Sequence, residues 1–157
     1  MSGHQRSGLA FFAAVLLAAT LPLTALGSST GPFKGSGQGT FVGGAFVAPF
    51  TGTVLKQSVS GYIHPLTYPY VGSGKCATGP ASNELDFDSG AVIVLSGTTT
   101  NCTTPALFTA NGTFTITSAT GIYSGASGSA RFSASASGPE HSTGVLYFSW
   151  NGSITLP

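Results

Sequence analysis

The sequence predicts an all-β protein: a single antiparallel barrel of about eight strands, with a β-sandwich as the alternative. Three observations predict it. Apolar residues recur with a period of two in "GTFTIT" (112–117), "NELDFD" (83–88) and "SARFSASAS" (129–137), the pattern of strands with one buried face. Turn signals separate such segments at short intervals: Pro49, "GSGK", "TGP", Asn111-Gly112, "SATG" and "SGPE". No stretch after Gly27 carries the period of an amphipathic helix.

The chain of 157 residues opens with an expected export signal at 1–27. Met1 to Gly8 is polar and carries Arg6, and Leu9 to Leu26 is apolar apart from two threonines and Pro22. Ala25 and Gly27 place small residues at the −3 and −1 positions of a cut before Ser28. The rival reading is an uncleaved membrane anchor, because the run is almost long enough to cross a bilayer. Pro22 and the small-residue site favour cleavage, so the protein is expected to be secreted or extracytoplasmic. No later segment is long and apolar enough to span.

Residues 28–39, "SSTGPFKGSGQG", read as a flexible Gly/Ser-rich lead-in. The barrel domain is expected over 40–157, with strands near 40–48, 51–63, 68–72, 84–97, 105–110, 113–118, 127–137 and 143–155. Two of these, "AVIVL" and "GVLYFSW", are apolar on both faces. Such strands need cover on both sides, from a second layer or a filled barrel interior.

Charge excludes several function classes. Only 6% of the chain is charged. Beyond residue 27, Lys34, Lys56, Lys75 and Arg131 balance Glu84, Asp86, Asp88 and Glu140. No cationic cluster exists to neutralise phosphates, which argues against nucleic acid and anionic membrane surfaces as partners. Cys76 and Cys102 are the only cysteines. In an exported chain such a pair forms one disulfide, and zinc would need two further ligands at recognisable spacing.

Thr120 to Gly128, "TGIYSGASG", follows the strand "FTITSA" and precedes "SARFSAS". This segment resembles the hairpin of the allene oxide cyclase and dirigent-like barrel superfamily, in which a strand is followed by T/S-G-x-[FY]-x-G-[AV]-x-G and a second strand. The run "VLYFSWNGSI" is similar to that family's closing strand. The resemblance covers Asn111 to Ile154 and implies an eight-stranded antiparallel barrel with an apolar interior. It carries over no catalytic residue. Within it, Gly121, Gly125 and Gly128 are expected to serve the backbone rather than a ligand.

Candidate binding residues come from "GYIHPLTYPY": Tyr62, His64, Tyr68 and Tyr70, with Tyr123 added from the hairpin. A His among tyrosines suits a general base at a pocket mouth, and the rings suit a sugar or a flat apolar ligand. The competing reading is a Pro-stiffened connection whose rings cover one end of the barrel. Glu140-His141 reads as an exposed turn. Glu84, Asp86 and Asp88 fall on one strand face and form a weak calcium candidate, without the Gly-containing ligand loop. G-x-S-x-G is absent, and "GSGQG" does not join a strand to a helix, so no cofactor is expected. Asn101, Asn111 and Asn151 match the glycosylation pattern, and the Asn-Gly pairs at 111 and 151 also suit tight turns.

The sequence therefore points to a secreted small barrel that binds a small apolar or aromatic ligand, or acts at the cell surface, without acid–base catalysis. A barrel cyclase or isomerase acting on an apolar substrate and a purely structural secreted protein are the alternatives. The oligomeric state is left open.

Overall fold

A computed structural model describes residues 28–42, 45–72, 74–137 and 144–157. The export segment at 1–27 and the Glu140-His141 turn lie outside them. The described strands are β1 (Ser29–Val42), β2 (Ala45–Phe46), β3 (Ala48–Val54), β4 (Gln57–Thr67), β5 (Cys76–Phe87), β6 (Val92–Thr103), β7 (Leu107–Ala119), β8 (Ser127–Ser137) and β9 (Val145–Leu156).

From β3 to β9 each strand pairs antiparallel with the next, and β1 pairs with both β3 and β9. The β1–β9 register runs from Ser29↔Leu156 to Thr40↔Val145 and closes an eight-stranded antiparallel barrel. Strand β2 adds a two-residue pair at the end of β1. The sandwich alternative is thereby excluded.

Several expected boundaries change. The expected loose lead-in is β1 itself, one stave of the barrel. Its glycines 35, 37 and 39 alternate with Lys34, Ser36 and Gln38, and a Cβ on Gly35 or Gly37 would overlap Trp150 or Phe148 of β9. Glycine here makes room for the rings of its neighbour. The expected strand 51–63 folds back at Leu55-Lys56, and 84–97 folds back at Asp88–Gly90, where Gly90 takes φ +80°. Residues 68–72 form no strand. Conversely, 105–110 and 113–118 are one strand, because Asn111-Gly112 pairs in register with both β6 and β8 instead of turning. Asn151-Gly152 likewise lies within β9.

The interior is held by a chain of rings. Tyr123 meets Phe87 (4.9 Å), Phe87 meets Phe50 (5.4 Å), and Phe50 meets Trp150 (5.0 Å). Trp150 stacks with Phe148, whose edge-to-face partner is Phe46 (5.9 Å). Edge-to-face pairs of this kind add about 0.5–1.5 kcal/mol each beyond burial. Beyond Leu107, the outer positions of β7 and β8 are Thr, Asn, Ser and Arg. Hydroxyls pair across strands there, as in Ser96–Thr117 (3.2 Å) and Ser133–Ser149 (3.1 Å). The apolar outer band of a lipid-facing barrel is absent from these strands. No helix among the described residues is long and apolar enough to cross a membrane.

Cys76 and Cys102 are register partners on β5 and β6 and form a disulfide, with Cα atoms 4.0 Å apart. In the hairpin, Gly121 takes φ +59° against Ala91 and Gly125 takes φ +77°. Gly128 lies against the Ser153 carbonyl, where a Cβ would overlap it. All three glycines answer to the backbone, as the sequence suggests.

Candidate functional site

The ends of β1, β4, β6 and β8 and the starts of β3, β5, β7 and β9 lie at one end of the barrel. Inside that end, small residues replace large ones. Ala81, Ala110 and Ala134 occupy inward positions of β5, β7 and β8. They leave a cavity of about 60 Å³. Its apolar lining includes Phe46, Ile63, Phe108, Phe114, Phe132 and Leu146.

Three buried polar side chains enter this apolar lining: Asn83 from β5, and Thr99 and Asn101 from β6. They continue the inward phase of their strands, after Leu85 and Phe87 on β5 and after Ile93 and Leu95 on β6. Asn101 is 2% exposed and Thr99 4%. Asn101 Nδ2 donates to the Pro69 carbonyl at 3.0 Å, tying residues 68–72 to the barrel end. Asn101 Oδ1 and Thr99 Oγ1 are buried without a hydrogen-bond partner. Leaving such an atom unpaired costs about 1–3 kcal/mol. The third such atom, Trp150 Nε1, belongs to the ring chain, and Trp150 does not line the cavity.

The mouth is apolar on its outside as well. Val47, Leu66, Tyr68, Tyr70, Leu107 and Val145 are exposed large apolar residues, and all lie at this end. Tyr70 is the most exposed, at 74%.

The sequence-derived candidates do not gather at the cavity. Only Tyr68 lines it. Tyr62 stands on the outer face of β4, half exposed. His64 is also on the outer face, where its Nε2 meets Asp86 Oδ2 at 2.9 Å. Tyr123 is buried at the opposite end against Phe87, and that burial pushes its phenol above the ordinary value of 10.0. The acidic trio does not converge either. Asp86 faces His64, and Asp88, in the β5–β6 turn, accepts from Ser60 Oγ at 2.5 Å. Among the described residues no group of three His, Cys, Asp or Glu side chains is placed to hold a metal ion. Of the glycosylation matches, Asn101 is inside the barrel and sterically shut to a glycan, whereas Asn111 and Asn151 face outward.

Asn83, Thr99 and Asn101 are missed as cavity residues because "ASNE" and "TTTNCTT" read as polar strand surface. Their signal is phase: they occupy positions that the strand's apolar residues assign to the interior. Comparison of the chain with family models, curated proteins and solved structures finds no match.

Proposed function

We propose that the protein is an exported barrel that binds a small, largely apolar molecule at its loop-bearing end, without acid–base catalysis. The carrying observation is an apolar cavity lined by two side chains, Asn101 and Thr99, whose buried oxygens lack partners. A barrel serving only as a filled scaffold has no use for that cost, and an apolar pair of the same shape would be more stable. The exposed apolar residues around the mouth give such a molecule a favourable approach.

The cavity is far smaller than ligand clefts of about 300–1,000 Å³. It encloses a slender group, and any longer ligand leaves its remainder in the mouth. Among the described residues Tyr68 is the only lining side chain of a titratable type, which supports binding over proton transfer. Export belongs to this reading and rests on Leu9 to Leu26, on Ala25 and Gly27, and on a disulfide of the sort that persists in oxidising compartments. Kinship with the allene oxide cyclase and dirigent-like barrels belongs to it too, supported by the hairpin at Thr120–Gly128 within an eight-stranded barrel.

Mass spectrometry of the protein kept native is the test. A small molecule is expected on part of the population as purified, and it should be missing from Ala134→Phe, which fills the cavity. A bare wild-type mass, together with no thermal stabilisation by small alcohols, ketones, acids or hydrocarbons, overturns the proposal.

A further inference from the structure

We infer that the cavity selects a neutral hydroxyl compound, an alcohol or a phenol, and discriminates against the matching carboxylate; this rests on the binding reading above. The orientation of Asn101 decides the first half. Its Nδ2 faces the Pro69 carbonyl at 3.0 Å, and a carbonyl only accepts, so the amide cannot turn over without setting two acceptors against each other. Oδ1 is therefore the atom left unpartnered, and it only accepts. Its missing partner is a donor. Thr99, the neighbouring inward residue on β6, supplies a hydroxyl that both donates and accepts. A ligand hydroxyl has the matching pair of functions: it donates to Asn101 Oδ1 and accepts from Thr99.

Charge decides the second half. Among the described residues, no Lys, Arg, His, Asp or Glu lines the cavity. A carboxylate entering it loses its hydration, meets no cation, and has no proton to offer Oδ1. An ammonium meets no counter-charge. The hydrocarbon part is placed by register. Asn101 pairs with Ala110, Thr99 with Gly112, and Gly97 with Phe114, so Phe114 lies one step deeper in the barrel than Thr99. A hydroxyl held near Asn101 directs a short chain or ring toward Phe114 and Ile63.

The experiment is calorimetric titration of the full exported protein with hexanol, phenol, hexane and hexanoate at neutral pH. Hexanol and phenol are expected to bind at least tenfold more tightly than hexanoate. Thr99→Val, which keeps the shape and leaves the Asn101–Pro69 bond in place, is expected to weaken hexanol severalfold or more while leaving hexane unchanged, and Asn101→Leu is expected to weaken hexanol by at least as much. Hexanoate binding as tightly as hexanol, or hexanol binding unaltered in both variants, overturns the selectivity and leaves a cavity that binds by shape. No binding by any of the four probes overturns the cavity reading together with the selectivity.

Discussion

Trp150 lies over Gly35, its register partner on β1, and its ring fills the space that a side chain at position 35 would need. Gly35→Val is expected to destabilise the barrel by about 1–3 kcal/mol through overpacking. Gly72→Val is the control, because nothing lies within 4 Å of a Cβ there; it should stay within about 0.5 kcal/mol of wild type. Denaturant unfolding of both variants checks the pair.

The hairpin glycines yield a second expectation. Gly121→Val and Gly125→Val force a branched side chain into left-handed backbone, and Gly128→Val drives one into the Ser153 carbonyl. Each should cost about 1–3 kcal/mol. Ser127→Ala and Ser129→Ala exchange outward, solvated groups and should change stability by less than about 0.5 kcal/mol. Glycine variants that keep full stability while losing a ligand would reassign the hairpin as a binding site.

Tyr123 sets an alkaline limit. Its phenol is held above the ordinary value of 10.0 by burial, so in the folded protein it keeps its proton where the unfolded chain has lost it. The raised value means that its contribution is complete below pH 10.0 and is lost as pH rises from there through the folded value. Tyr123→Phe should flatten the alkaline decline relative to wild type and leave the neutral and acidic range parallel. Chemical unfolding across a series of buffers from neutral to strongly alkaline reads the difference.

The disulfide closes a separation of 26 residues. Replacing both cysteines by Ser should lower stability by about 3.5 kcal/mol on the chain-entropy account. Alkylation of wild-type protein unfolded without reductant should label neither Cys76 nor Cys102.

Most of the barrel is legible in the sequence, and two of the exceptions share one cause. Period-two reasoning sees strands whose inward residues are apolar, as in Phe114 and Ile116 or Leu85 and Phe87. It overlooks β1, where Gly35, Gly37 and Gly39 follow Phe33 in the inward phase. Those glycines are the counterpart of the period-two aromatics Phe148 and Trp150, and the match exists only once β1 and β9 lie side by side. Asn-Gly at 111 and 151 misleads for the same reason: each pair has the chemistry of a turn, but the glycine faces inward where backbones approach closely. The cavity was hidden differently. Tyr62, His64 and Tyr70 draw notice as chemistry-bearing types, yet their alternation or exposure places them outside. Asn101 and Thr99 look like surface and are inside.

Closure between β1 and β9 has a consequence for how the chain comes to be folded. Thr30 and Thr155, whose hydroxyls meet at 2.8 Å across that seam, are 125 positions apart. Synthesis is vectorial, so β1 waits for its second neighbour until β9 has emerged. Until then the nascent chain can form at most an open sheet with two unsatisfied edges, the form most prone to stick to its own kind. Contacts of such long range also make folding slow. The barrel thus snaps shut late, and a chaperone that shields the edge of β1 would protect this chain during the interval in which it is most vulnerable.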